Sequence, residues 1–490
     1  MRADPGGIQN IVNGTHFRVI SKLYIDLTGT SNFVEVPAAN VSYAAKLKNN
    51  NASVMTLGNE TSTELTFDLL DNDATYGRFK ENYNLYDKQV KLEIGFYGTS
   101  RVLVFLGKIT NITEQDSTKT LHIMCRDIGG TDLQQRRIST PLKTYMRIDE
   151  WLEYVISTVA GMDFEKHGYG LFTIPFLWLD DEAVLEQAIE AAASEGGIVY
   201  AGEDGKIHYW PPFYLAIDSE HQSSQWTVTE DMCTNILVTS SRINQYDEVY
   251  VPFQPRYLGK VDNVFSLDRT LIIPNKYNGI NGQVETTFRF DQPVCHITQV
   301  TFMALSADGR DMSDYIQFNN SSTPDIDDGY RYAEHWDMTI ENTNENETIY
   351  LTQFDIDGIP VIGAADSEYK TDTAQVDRVY RLQTNFYVQT EEHAKALANM
   401  SKNRYITTPL ATVQITGLKP NPLLELGDLI TVQSSHLGLD ADFYVTEIRY
   451  SLPNMEMQVG GIIASNMFDT SNYFVVGTSH LNNEDGKLAY

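Results

Sequence analysis

The segment Glu334-His335-Trp336-Asp337 sets two carboxylates beside an imidazole and an indole, and two carboxylates at the right separation can run glycoside hydrolysis. In a chain with 66 acidic residues such pairs arise by chance, so this one is read as part of the fold. Oxygen ligands for calcium are offered by Asp325, Asp327 and Asp328, and by Asp355 and Asp357. Neither run has the spacing of an EF-hand loop or its closing bidentate Glu, and solvated turns are favoured. Cys125, Cys233 and Cys295 lie far apart and fit no zinc spacing, which makes them buried free thiols. There is no glycine-rich phosphate loop, serine nucleophile elbow or His-Glu-x-x-His helix. Asn-x-Ser/Thr triplets begin at Asn40, Asn51, Asn111 and Asn346, and the high Asn and Thr content accounts for them. No catalytic residue, cofactor site or metal site is expected, and the chain is read as a non-enzyme.

Most of the chain is patterned to build strands. Leu23, Ile25 and Leu27 alternate with polar residues, as do Leu65, Phe67 and Leu69, then Val90, Leu92, Ile94 and Phe96, then Leu121, Ile123 and Cys125. Helical spacing takes over after Leu133. Ile148, Trp151, Leu152, Val155, Ile156 and Val159 recur on one face, with Gly161 as C-cap. A second helix is predicted from about Asp181 to Ser194, closed by Gly196-Gly197, and the next two strands are turned by Asp204-Gly205. One strand is predicted over 235–243, and the Asn-, Asp- and aromatic-rich stretch from Tyr250 to Ala364 reads as a β-rich insert.

The last quarter reads strand, helix, strand, strand, strand, strand. The helix has Thr390 as N-cap, Glu391 and Glu392 in its first turn, and Ala394, Leu397 and Ala398 on one face. A strand over Asp377–Val388 precedes it, and the expected packing is this helix laid on a closed antiparallel sheet. Gly427-Asp428 is a tight turn before Leu429–Val432, and period two places Tyr444, Thr446, Ile448 and Tyr450 on one side.

At 490 residues the chain is too long for one core, and three or four domains are expected. No stretch reaches the roughly 20 apolar residues of a membrane span. The first residues lack the apolar run of a signal peptide, which implies assembly in a cytoplasm. A net charge of −30 argues against stable nucleic-acid binding, which needs clustered Lys and Arg, yet it suits a conduit wall that repels passing DNA. The same acidity would also keep a large assembly soluble.

The order of these elements resembles that of phage tail hub proteins, which sit at the distal end of the tail tube. RVLVFLGKITNI resembles the family's Leu-Phe-x-Gly-x-Ile hairpin strand and supplies Phe105, Gly107 and Ile109. The Leu424–Asp428 segment resembles its Leu-x-x-Gly-Asp turn through Gly427 and Asp428, and its closing strand supplies Phe443, Val445 and Ile448. The helix, Gly-Gly, strand, Asp-Gly, strand run matches the texture of the family's insert, and IDGIPV at Ile356–Val361 resembles the hairpin that returns to the barrel.

The resemblance implies a mainly β chain with an α+β insert: two tail-tube-like antiparallel β-barrels, each with a packed helix, plus inserted domains. The expected boundaries are 1–132 for the first barrel, 133–234 for the α/β insert, and 235–249 with 365–465 for the second barrel. A β-rich insert would occupy 250–364 and a C-terminal tail 466–490, a docking arm or a frayed end. The resemblance further implies a homotrimer in a virion tail. A tail tube or distal-tail protein would lie above it and a central spike or tip below, with a tape-measure protein as a further partner and DNA passing without specific binding. Two alternatives from other classes are a hexameric distal-tail protein and a module that binds or degrades cell-wall glycan.

Overall fold

The computed structural model describes residues 2–464 except 15–16, 49–59, 71–84, 116, 118, 219–220, 241–245, 278, 320, 322–323, 325–330, 372–377, 406–410 and 453. Asp325, Asp327, Asp328, Asn51 and the expected tail at 466–490 therefore lie outside the described residues. The chain is mainly β, with helices concentrated between two groups of strands.

A short helix α1 (Ile8–Val12) precedes β1 (Val19–Asp26), β2 (Phe33–Val36), β3 (Ala38–Lys48), β4 (Glu60–Leu70), β5 (Gln89–Phe96), β6 (Val102–Gln115) and β7 (Thr120–Asp127). The alternation read from the sequence is kept: Leu65, Phe67 and Leu69 are buried, as are Val90, Leu92, Ile94, Leu121, Ile123 and Cys125. An all-apolar interior at period two leaves the intervening polar residues for the opposite face.

Next comes α2 (Ile148–Glu153), continued as a π-helical turn to Val159, then β8 (Phe164–Lys166) and α3 (Val184–Ala193). The predicted start of α3 at Asp181 is three residues early, because Glu182-Ala183 pair as a strand with Arg137-Ile138. The hairpin β9 (Ile198–Ala201) and β10 (Ile207–Trp210) turns where expected, with Gly205 at φ 85°. β8 runs parallel to β10, pairing Glu165 with His208.

The chain continues through β11 (Trp226–Thr229), β12 (Asn235–Ser240) and β13 (Glu248–Phe253). The insert contains β14 (Gly282–Arg289), β15 (Val294–Leu305), β16 (Ile316–Phe318), β17 (His335–Asn342) and β18 (Ile349–Gly363). Its core packs Trp336, Phe288, Phe318 and Phe354 together. IDGIPV, expected as a hairpin, is an unturned stretch inside β18, paired with β15 and with Arg256–Leu258 and Asp262–Ser266 through several register shifts. Asp355 and Asp357 are likewise on this strand and not in a loop.

β19 (Ser367–Lys370) and β20 (Val379–Arg381) flank β13 in a three-stranded sheet, and α4 (Glu391–Tyr405) packs on it through Ala394, Leu397 and Ala398. The Thr390 cap is present: its Oγ1 accepts the His393 N–H at 3.2 Å. The helix thus rests on this small sheet and not on the large one. The strand expected over Asp377–Val388 is confined to Val379–Arg381, because Asn385 folds the chain into a turn. Its Oδ1 accepts from Tyr387 N (2.8 Å) and its Nδ2 donates to Glu190 O (2.8 Å), which drives Tyr387 into the α/β core.

Last come β21 (Ala411–Leu418), β22 (Leu429–Ser434), β23 (Leu439–Ser451) and β24 (Glu456–Ile463). Phe443 and Val445 share the core face with Ile448 and Tyr450, whereas Tyr444 packs into a separate cluster on the opposite face. Strict alternation predicted Tyr444, Thr446, Ile448 and Tyr450 together. A register shift between Val445 and Glu447 against β24 inserts one residue and reverses the facing, as a β-bulge does.

Both strand groups belong to one sheet of order β12-β21-β24-β23-β3-β4-β7-β6-β5-β1-β2. Its seam is the antiparallel pairing of Ser42–Lys46 with Glu447–Ser451. Among the described residues neither group closes on itself by backbone hydrogen bonds. One continuous apolar cluster nevertheless collects Val36 from β2, Phe105 from β6, Tyr43 from β3, Val459 from β24 and Val413 from β21. A flat sheet cannot bring such distant strands into a single cluster, so the sheet is curved around it.

Candidate assembly surface

The seam joins the two groups through side chains as well as backbone. Tyr43 and Tyr450 are cross-strand partners whose rings stack at 5.4 Å, and Tyr43 meets Phe105 edge-on at 6.4 Å. The Tyr450 hydroxyl donates to Asn421 O at 2.8 Å. Gly107 and Gly427 are both required by close approach. A Cβ on Gly107 would lie 2.2 Å from Arg126 O, and one on Gly427, at φ +86°, would meet the Trp210 ring at 2.9 Å. Phe105, Ile109, Phe443, Val445 and Ile448 are all buried in the shared cluster. Asp428 is buried in the turn, where its Oδ2 accepts from Glu425 N at 2.7 Å. The eight motif residues thus lie in the two strand groups, and none converges with another into a reaction centre.

A charged clamp lies beside the seam. Arg2 donates from Nη1 to Pro422 O (3.0 Å) and Leu424 O (2.9 Å), and from Nε to Glu203 (2.8 Å), with Glu425 at 3.6 Å. The N-terminal segment therefore ties the β9–β10 hairpin to the turn ahead of β22. Burial alone would lower the Arg2 pKa, but the Glu203 and Glu425 carboxylates overcome it and raise it. Burial lifts Glu425 to about 7, against the pull of Arg2. A cavity of about 230 Å³ opens here, lined in part by Arg2, Tyr43, His167, Tyr200 and Glu203.

The outward face of the sheet is polar across the seam, with both signs of charge. His122 lies 2.8 Å from Asp68, Arg126 3.6 Å from Glu64, and Lys46 3.8 Å from Glu447, which also pairs with Arg449. The ends of the sheet path are edge strands. Leu237 on β12 is 51% exposed and Val34 on β2 is 44% exposed, and among the described residues no further strand pairs with the outer side of either.

The other residues singled out in the sequence do not assemble a site. Glu334 accepts from Trp178 Nε1 at 2.8 Å, His335 Nδ1 lies 2.8 Å from Asp180, Trp336 is core, and Asp337 accepts from Thr287 at 2.6 Å. His335 and Asp337 share one side of β17, with His335 Nε2 3.9 Å from Asp337 Oδ2, whereas Glu334 precedes the strand and is engaged separately with Trp178. Asp357 accepts from Asn263 at 3.3 Å, and Gln353 donates to Asp355 at 2.6 Å. Cys125 is buried, which raises its pKa; Cys233 and Cys295 are only half-buried, a departure from the buried thiols expected.

One cluster was missed. Glu165, His167 and His208 bring a carboxylate and two imidazoles within 4.8 Å of one another. The available signal was the Glu-x-His alternation at 165 and 167, but its partner is forty residues away on a strand whose parallel pairing no local pattern reveals.

No family model matches the chain, and no curated protein matches it. Solved structures do. The chain is similar to the 43 kDa tail protein of prophage MuSo2 from Shewanella oneidensis, at 11% identity over 92% of this chain and 100% of that one, with a TM-score of 0.49. It is similar to a tail protein from Neisseria meningitidis MC58, at 11% identity over 91% and 98%, TM-score 0.48. A third is prophage tail protein gp18 from Listeria monocytogenes EGD-e, at 9% identity over 90% and 94%, TM-score 0.42. Among the described residues no helix is long and apolar enough to cross a membrane.

Proposed function

We propose that this chain is a non-enzymatic structural component of a phage tail, a homotrimeric hub at the distal end of the tail tube. The observation that carries the reading is the single sheet that fuses two strand groups through the β3–β23 seam, with open edges at β12 and β2. Two tube-like units per chain turn three copies into six, which matches a sixfold tube on one side and offers threefold symmetry to a spike or tip on the other. An edge at each end of the sheet suits a head-to-tail contact between copies that closes as a ring. The motif order in the sequence supports the same assignment.

In this reading residues 1–132 form one tube-like unit and 235–249 with 365–465 the other, with 133–234 and 250–364 as inserts. The outward polar face would line the channel. Its mixture of carboxylates and cations suits a wall along which DNA passes without sticking, and the remaining acidity of the chain adds a weak general repulsion. The partners are the tail tube or distal-tail protein, the spike or tip, and the tape-measure protein, in a virion tail assembled in the host bacterial cytoplasm.

End-on electron microscopy of the purified chain tests this reading. The expected image is a ring with six similar lobes and three peripheral projections. A ring of six complete chains would favour a distal-tail protein. Isolated single particles that bind or cleave glycan would favour a sugar-directed module.

A further inference from the structure

We propose that Glu165, His167 and His208 form a binding site for a first-row divalent transition metal ion, of the class of Zn²⁺ or Ni²⁺, that pins β8 to β10. Glu165 is the middle residue of β8 and His167 follows its last residue, where its N–H still donates to Tyr209 O at 3.0 Å; two apart in extended chain, they project to one side. His208 is the register partner of Glu165 on the parallel neighbour. A carboxylate and two imidazoles from adjacent strand positions are a donor set suited to zinc and to other first-row divalent ions.

His167 Nε2 and His208 Nδ1 are 2.9 Å apart. Two metal–nitrogen bonds of about 2.1 Å at a right angle span about that distance, so the pair fits adjacent positions of a six-coordinate ion. The second ring nitrogen of His208 is already held: Nε2 lies 2.9 Å from Asp204 Oδ1. A carboxylate behind a histidine fixes the tautomer that presents Nδ1 to an ion. Tyr200 stacks on His208 at 4.9 Å and Tyr214 lies against His167 at 5.2 Å, which limits how far either ring can swing.

In the ion-free protein the His167–His208 hydrogen bond and the Glu165–Lys206 pair at 2.6 Å satisfy these groups. Metal binding displaces both: the proton between the rings moves by way of solvent from His167 Nε2 to its Nδ1, so that both imidazoles stay neutral, the Nε2 and Nδ1 lone pairs turn to the ion, and the half-exposed Lys206 swings into water. The site opens toward the cavity beside the Arg2 clamp, where waters complete the coordination.

The test is titration of the full-length chain with NiCl₂ and ZnCl₂ by calorimetry, with a CoCl₂ absorption spectrum as a second readout. The expected result is one tight ion per chain and visible Co²⁺ bands carrying nitrogen coordination. Glu165→Gln and His167→Gln should each weaken binding more than tenfold, and Asp204→Asn by about 10- to 100-fold. Lys206→Met removes the competing cation and should tighten it, a gain that a misfolded protein cannot give. Absence of a tight ion for Ni²⁺, Zn²⁺ and Co²⁺ would overturn the proposal. So would stoichiometric binding that persists in a His167→Gln, His208→Gln double variant whose far-ultraviolet circular dichroism is unchanged. Ring formation is a separate readout, so this site and the hub assignment stand or fall independently.

Discussion

The large sheet and the α/β insert are stabilised in different ways. The sheet's cluster is apolar throughout, drawing on Phe67, Phe105, Phe443 and their neighbours from strands distant in sequence. The insert instead buries charge and polarity: Asp149 and Glu195 are fully covered, and Gln389 and His393 from the α4 segment are buried against it. Glu195 accepts the Leu171 and Phe172 amides at 2.7 and 3.3 Å and the Tyr209 hydroxyl, while His393 Nε2 lies 2.7 Å from Ser194 O. The apolar contacts of the sheet's cluster do not themselves titrate, and the ionisable groups near it, Glu425 and Asp428, lie in the turn beside the seam. A region held by buried ionisable groups has a fixed geometry and a stability that depends on pH.

The sharpest contrast comes from deletion in the sheet. Phe443→Ala should cost about 3–5 kcal/mol in urea unfolding, by lost burial and the cavity left behind. The loss should be the same at pH 5 and pH 8; a pH-dependent loss would mean that the two regions do not differ as described.

The next effect is the pH response of the insert. Burial, only partly offset by the Tyr209 hydroxyl and the two amides, lifts Glu195 from 4.5 to about 7. A carboxyl whose folded pKa is raised contributes fully below about 4.5, and that contribution is lost as pH rises through about 7. At 1.36 kcal/mol per unit this is on the order of 3 kcal/mol. The stability difference between the native chain and Glu195→Gln should therefore shift by that amount against the native chain between pH 4.5 and pH 8.

His393 works in the other direction. Burial depresses it from 6.5 to about 4, so its contribution is present above 6.5 and lost as pH falls through 4. In the native chain the two overlap and partly cancel. Glu195→Gln should consequently lose stability on acidification from pH 6.5 to pH 4, and a flat profile for that variant would remove His393 from the account.

Smaller effects separate the seam from the rim. Tyr450→Phe removes a buried hydrogen bond to Asn421 O and should cost about 1 kcal/mol. Arg126→Ala on the outward face should change monomer stability by less than about 1 kcal/mol, since its Glu64 partner is also exposed. A larger loss at Arg126 would mean that the face is not free in the isolated chain.

Local pattern was enough for the N-terminal strands, both helices of the insert, the Asp204-Gly205 hairpin and the Thr390 cap, because each is decided within a few residues. What failed depends on partners far along the chain. The facing of Tyr444 is set by a bulge against β24, the Asn385 turn by a carbonyl on α3, and the unturned course of IDGIPV by strands on both sides of β18. The Glu165–His167–His208 cluster is hidden for the same reason, since the β8–β10 register creates it.

The mass of the purified full-length chain in solution, by light scattering at several concentrations, tests the hub assignment most directly. Three copies per particle, unchanged on dilution, is the predicted result; a stable monomer or a hexamer would contradict it.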